Sequence, residues 1–144
     1  MAYFTIEEGG YPPCYDEDGV SPVFFASAIF GDYASVQPCK SAPHISPTPC
    51  SVPYGGQEVY HEGAFEVLRF DPETMELVGS SNGEVPWGRN PVGGGWEEDG
   101  RMLYHGLAEV NGVRIPGKTA PHLGGCNVSF GGEEVQVTEG YEVL

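Results

Sequence analysis

The chain contains only two lysines, Lys40 and Lys118, and each follows a short acidic segment. The acids in these segments are Asp16, Asp18, Glu97 and Asp99. An ammonium group donates hydrogen bonds and carboxylates accept them, and the vicinal hydroxyls of a sugar require both on one concave surface. The two lysines and four acids are therefore our candidate binding residues, and we predict no catalytic residue.

The two lysines occupy matching places in an internal repeat. Residues 38–68 and 116–144 share the pattern Pro-x-Lys-x-Ala-Pro-His, followed by a cysteine, a Gly-Gly-x-Glu segment and a closing Glu-Val-Leu. A unit this small cannot bury a core alone. We therefore predict two units, residues 1–70 and 71–144, that pack about a pseudo-twofold axis and share a core.

Glycine and proline indicate the fold class. The chain has 22 glycines and 13 prolines, and its longest stretch without either is eight residues, shorter than the average helix of about 11 residues. Asn111-Gly112 and the Gly-Gly pairs at 55–56 and 131–132 are typical of turns between antiparallel strands. We predict an all-β protein built from antiparallel β units.

The charge of the chain argues against a polyanionic partner. Acidic residues outnumber basic ones by 21 to 6, which gives a net charge of −15 at pH 7 and repels nucleic acids. No apolar run is long enough to span a membrane, and residues 1–10 lack the basic start and apolar middle of a signal peptide. We expect no nucleic-acid partner, no membrane insertion, and a protein that is cytoplasmic or released without a signal peptide.

Cysteine and histidine do not form a recognisable metal motif. The cysteines are Cys14, Cys39, Cys50 and Cys126. They lack CxxC spacing, so we expect reduced, partly buried thiols, with one or two disulfides left open. His44 and His122 recur after proline, but no second histidine recurs at ligand spacing. We expect these histidines to donate to the backbone, and we predict no metal and no cofactor.

Three alternatives to a sugar site stay open. Each lysine can form a salt bridge that only holds its loop in place, and duplication repeats a structural ion pair as faithfully as a ligand site. The carboxylates of Glu97 and Asp99 can in principle act as general acid and base on a glycoside. Glycosidases usually use one asymmetric cleft rather than two matched sites, so we do not expect an enzyme. The last alternative is an intracellular structural or protein-interaction module.

The repeated pattern resembles the DM9 repeat. In the second copy the resemblance runs through the segments Gly94 to Gly100, Pro116 to Lys118, Pro121-His122, Phe130 to Glu134 and Tyr141 to Leu144. The first copy departs from the pattern with Cys39 in place of a glycine and with a proline-rich insertion at 46–49. The resemblance covers nearly the whole chain and is more specific in the second copy.

This resemblance implies a lectin that recognises mannose or mannose-rich glycans, acts in immune recognition and forms homodimers. In such lectins an acid of the Asp-Gly segment and the lysine of Pro-Gly-Lys hold the sugar hydroxyls. Matched by position, the lysines are Lys40 and Lys118. The matched acids are Asp16 or Asp18 in the first copy and Glu97 or Asp99 in the second.

Overall fold

Short β-strands joined by tight turns make up the structure, a computed structural model that describes residues 11–45 and 47–144. The first half of the chain contributes β1 (Cys14–Tyr15), β2 (Pro22–Phe30), β3 (Ser35–Ser41), β4 (Cys50–Tyr54), β5 (Gln57–Tyr60) and β6 (Phe65–Val67). The second half contributes β7 (Val78–Ser81), β8 (Gly93–Trp96), β9 (Met102–Val110), β10 (Val113–Ala120), β11 (Gly125–Phe130), β12 (Glu133–Val137) and β13 (Glu139–Val143). The prediction of an all-β fold is confirmed.

Residues 1–10, on which the expectation about a signal peptide rests, lie outside the described residues, as does Ser46 in the proline-rich insertion. In the part of the chain that the structure describes, no helix is long and apolar enough to cross a membrane.

Residues in the left-handed backbone conformation make the turns. Asn111 and Gly112 have φ angles of 50° and 81°, and they join β9 to β10 where Val110 pairs with Val113. The Gly-Gly pairs at 55–56 and 131–132 also have positive φ and join β4 to β5 and β11 to β12. Glycine adopts this conformation without steric cost, so the turns predicted from the sequence are confirmed.

The strands close into an antiparallel barrel. They follow the order β3-β4-β5-β12-β11-β10-β9, and β8 pairs with both β9 and β3 to complete the ring. At the closure Trp96 pairs with Val36 on β3. A Cβ atom on the preceding Gly95 would lie 1.9 Å from the carbonyl oxygen of Val36, so this position requires glycine. The other strands flank the ring, with β1 and β6 on β2, and β7 on β13.

The two halves use the same pairing register around their lysines. Lys40 on β3 lies opposite Ser51 on β4, and Lys118 on β10 lies opposite Asn127 on β11. The repeat seen in the sequence is therefore a repeat of local structure at these positions. The division of the chain at residue 70 stays a prediction.

A buried apolar cluster joins the two halves. Its members are Cys14, Val23, Phe25, Ala42, Phe70, Leu107 and Leu144. Leu107 and Leu144 come from the second half and the others from the first. Each half also has a cluster of its own, around Val52 in the first and Val128 in the second. The halves therefore share a core, and β3 and β10 hold their lysines on a common framework.

Candidate functional site

Two carboxylates at the junction between the halves face the lysines. One oxygen of Glu58 accepts a hydrogen bond from the backbone N–H of Gly132 at 3.0 Å, and the other lies 3.6 Å from Lys40 Nζ. Glu134 accepts from the backbone of the opposite turn at 2.8 Å and lies 3.8 Å from Lys118 Nζ. Each glutamate thus connects the lysine of its own half to the Gly-Gly turn of the other half.

Sequence reasoning did not select these two glutamates as site residues. The signal was present, because Glu58 and Glu134 are identical residues in the aligned Gly-Gly-x-Glu segment. What the sequence did not show is that β5 and β12 meet, with Glu58 N donating to Gly132 O at 2.9 Å. This contact brings each glutamate to the Gly-Gly turn of the other half. Ser51 and Asn127, on the strands beside those of the lysines, also hydrogen bond to the two carboxylates.

One predicted acid in each half bonds to the repeated histidine. Asp16 Oδ2 lies 2.8 Å from His44 Nε2, and Glu97 Oε2 lies 2.8 Å from His122 Nε2. The expectation that these histidines donate to the backbone is wrong. A carboxylate that bonds to an imidazole is held in one orientation, so the histidines position the acids.

The other predicted acid in each half closes its own turn. Asp18 accepts hydrogen bonds from Ser21 and from the backbone N–H of Val20, and these bonds lower the pKa of Asp18 to about 2. Asp99 accepts from the backbone and the side chain of Arg101, which lower the pKa of Asp99. Asp18 and Asp99 therefore turn toward their own loops, whereas Asp16 and Glu97 lie near the lysines.

In the second half, the space between lysine and acid is filled by a glutamine. Lys118 Nζ donates to Gln37 Oε1 at 2.7 Å, and Gln37 Nε2 donates to Glu97 Oε1 at 3.1 Å. Lys118 is only 4% exposed, and its Nζ lies 5.2 Å from the ring centroid of Tyr54. We call this arrangement the closed site, because a side chain of the protein already uses the groups that would hold a ligand.

Burial and hydrogen bonding set the protonation of the closed site. Burial lowers the pKa of Lys118, and the charges of Glu134 and Glu97 counteract this. Burial raises the pKa of Glu97, but hydrogen bonds from His122 and Gln37 outweigh it and keep this pKa below its ordinary value. The closed site is therefore a network of charged groups whose hydrogen bonds are made within the protein. It matches the alternative in which the lysine forms a salt bridge that only holds its loop in place.

In the first half, the corresponding space is a cavity of about 340 Å³, which we call the Lys40 cavity. It is lined by Asp16, Glu17, Lys40, Ile45, Val113, Ile115, Phe130 and Gly131. The side chain of Lys40 is 15% exposed, compared with 5% for Lys118. Among the described residues, no side chain hydrogen bonds to both Lys40 and Asp16. The space between Lys40 and Asp16 is therefore open to a ligand.

One pair of equivalent positions clearly distinguishes the two sites. Gln37 lies three residues before Lys40 but contacts Lys118, and Ile115 lies three residues before Lys118 but lines the cavity at Lys40. An isoleucine cannot form the hydrogen bonds that the glutamine carboxamide forms. Each site thus takes this residue from the other half, and the exchange leaves one site open and the other closed.

A buried histidine lies beside the closed site. His105 is opposite Lys118 in the sheet and is 2% exposed, and its Nδ1 has no hydrogen-bond partner among the described residues. Phe25 takes the same place opposite Lys40, and the two rings pack edge to face with centroids 5.6 Å apart. Burial lowers the pKa of His105 to about 4, so this ring is neutral at pH 7.

All four cysteines are buried free thiols in the structure. The sulfur atoms of Cys39 and Cys50 lie 3.4 Å apart, which is longer than a disulfide bond. Burial raises the pKa of Cys14 and of Cys126 to about 12. Among residues 11–45 and 47–144, no three His, Cys, Asp or Glu residues cluster in a way that could hold a metal ion.

The chain matches the sequence profile of a known protein family. No curated protein matches the chain. The sequence profile of the DM9 repeat matches residues 16–137, which include both lysines, both junction glutamates and both histidine-acid pairs. The chain belongs to the DM9 repeat family.

Proposed function

We propose that the protein binds neutral glycans, and mannose or mannose-rich glycans in particular, in the Lys40 cavity. The observation that carries this proposal is the open space between Lys40 and Asp16, whose counterpart in the other half is filled by the carboxamide of Gln37. A carboxamide carries a donor and an acceptor, as a pair of sugar hydroxyls does. The protein's own contact in the closed site therefore indicates the chemistry of the ligand in the open one.

The walls of the Lys40 cavity suit a pyranose ring. Lys40 supplies donors, and Asp16, which His44 already holds in place, supplies an acceptor. Phe130 and Ile115 form an apolar side on which the C–H face of a sugar can pack. Membership of the DM9 family supports a carbohydrate-binding role. We propose that the site binds without catalysis.

A glycan array with and without chelator tests this function, followed by calorimetry with methyl α-mannoside. We expect mannoside signals that chelator does not change. Lys40→Met should weaken binding about tenfold or more, because it removes hydrogen bonds from a charged group. Arg101→Met is the matched control, since it also removes one cation but lies outside the cavity.

Two results would contradict this function. One is equal mannoside affinity of Lys40→Met and the wild type. The other is an array without signal from a protein shown to be folded by its near-ultraviolet circular dichroism.

We also propose that the chain forms a homodimer. A single small cavity binds a sugar weakly, and two copies that engage one glycan surface gain effective concentration. Sedimentation equilibrium should then give twice the mass of the chain, and the mass of one chain would overturn this proposal.

A protein-interaction module is the second candidate function, favoured by one observation. Trp87 is 98% exposed, and tryptophan is enriched among the residues that dominate protein interfaces. If this candidate is right, Trp87→Ala weakens self-association in sedimentation experiments and leaves mannoside affinity unchanged. Equal dissociation constants for the variant and the wild type would remove the support that Trp87 gives.

A further inference from the structure

A second cavity adjoins the Lys40 cavity. It has a volume of about 380 Å³, and we call it the Tyr15 cavity. Its lining residues are Pro13, Cys14, Tyr15, Asp16, Glu17, Gly19, Gly112, Val113 and Arg114. Asp16, Glu17 and Val113 line both cavities. The two spaces therefore meet along a shared wall.

The Tyr15 cavity has an aromatic group and a cationic group of its own. Tyr15 is 49% exposed, so much of its ring is free to pack against a ligand. The guanidinium of Arg114 is held by Glu142 at 2.8 Å, and its side chain is 44% exposed. Arginine has five N–H donors, and one ion pair leaves several of them available. This combination of an aromatic ring and fixed donors resembles that of the Lys40 cavity.

We propose that the two cavities form one groove that binds a neutral oligosaccharide of at least two linked sugar residues. One residue lies in the Lys40 cavity, the next packs on Tyr15, and Arg114 donates to its hydroxyls. This inference rests on the proposed function of the Lys40 cavity. Each cavity lies at the lower end of the volume range of small-molecule sites, so a ligand longer than one sugar uses both.

The charges along the groove favour a neutral ligand. Lys40 and Arg114 are balanced by Asp16 and Glu17 on the shared wall, and Arg114 is also paired with Glu142. The net charge of the chain is −15, so a sulfated or uronic-acid glycan meets long-range repulsion. We therefore expect the oligosaccharide that binds in the groove to be uncharged.

Calorimetry with methyl α-mannoside and with an α-linked mannobiose and mannotriose tests the groove. We expect the wild type to bind mannobiose about tenfold more tightly than the monosaccharide, because a second sugar adds aromatic packing and hydrogen bonds. Tyr15→Ala should remove most of this gain and leave the affinity for methyl α-mannoside unchanged. Arg114→Gln should reduce the gain in the same way. Tyr33→Ala is the control, because Tyr33 is 55% exposed and lies outside both cavities.

The possible results distinguish failure of the groove proposal from failure of the proposed function. If the monosaccharide binds and depends on Lys40 but mannobiose and mannotriose bind no more tightly, the groove is wrong and the function of the Lys40 cavity stands. A gain for mannobiose that Tyr15→Ala leaves intact also overturns the groove. If none of the three sugars binds to the folded protein, the proposed function fails and the groove fails with it.

Discussion

Replacing Gln37 by isoleucine should open the closed site. In the wild type the carboxamide of Gln37 bridges Lys118 and Glu97. Ile115 holds the equivalent position in the first half, where a cavity separates Lys40 from Asp16. Because isoleucine already packs at this position in the same local structure, Gln37→Ile is the smallest change that copies the open arrangement.

The cost of this substitution follows from two lost hydrogen bonds to charged groups, beside which a longer one of 3.4 Å from Gln37 to Ser35 is minor. Gln37 bonds to Lys118 at 2.7 Å and to Glu97 at 3.1 Å, and the glutamine itself is 0% exposed. A hydrogen bond to a charged group contributes about 1.5 to 3 kcal/mol, and the added apolar surface of isoleucine recovers about 1 kcal/mol. We expect a net loss of roughly 3 kcal/mol in the free energy of unfolding, or about 10 °C in Tm for a chain of this length.

Two assays report whether the site opens. Calorimetric titration with methyl α-mannoside should change from one sugar per chain in the wild type to two in Gln37→Ile. Independently of any sugar, mild acetylation followed by peptide mapping should modify Lys40 but not Lys118 in the wild type, and both lysines in the variant. The mapping is unambiguous because the chain contains no other lysine.

The reciprocal substitution is the matched control. Ile115→Gln should place a carboxamide between Lys40 and Asp16 and abolish sugar binding while Lys40 itself is unchanged. The reasoning is refuted if folded Gln37→Ile still binds one sugar and leaves Lys118 unmodified, or if folded Ile115→Gln binds as the wild type does.

Three further predictions concern the buried residues. Between pH 6.5 and 4 the unfolded chain binds a proton at His105 that the native chain does not, so stability should fall as the pH falls, by roughly 3 kcal/mol in total from this group. His105→Phe should remove that part of the loss in urea titrations at pH 7 and pH 4, and an unchanged pH dependence would contradict the assignment. Gly117→Ala should lower the free energy of unfolding by about 3 kcal/mol, because its Cβ would lie 2.1 Å from the carbonyl oxygen of Asn127; an unaltered Tm argues against this packing. Because burial raises the pKa of Cys14 and Cys126 to about 12, iodoacetamide at pH 8 should label these thiols only after unfolding, and rapid labelling of the native protein would show that they are accessible.

The sequence was sufficient to predict the strands and turns around the lysines. Asn111-Gly112 and the two Gly-Gly pairs are short-range signals, because a positive φ restricts which residues form the turn regardless of the rest of the fold. The matching of Lys40 with Lys118 was also a property of the sequence alone, and the shared pairing register follows from it.

The sequence was not sufficient to identify the acid partners of the lysines. It left Asp16 or Asp18, and Glu97 or Asp99, as alternatives. The two acids of each pair are only two residues apart in one turn, so their distance from the lysine along the chain does not distinguish them. The structure separates them because His44 and His122 fold back onto Asp16 and Glu97. It also adds Glu58 and Glu134, which lie beside the lysines of their own halves and bond to the Gly-Gly turns of the opposite halves where β5 and β12 meet.

The amino-acid sequence by itself determined an all-β chain with an internal repeat, and it placed one lysine at the same point of each copy. Only the tertiary structure decided that these equivalent lysines have unequal surroundings. The reason is that each lysine faces a residue from the opposite half of the chain. Gln37 and Ile115 differ in hydrogen-bonding capacity, and no comparison of the two copies side by side shows which lysine each of them touches.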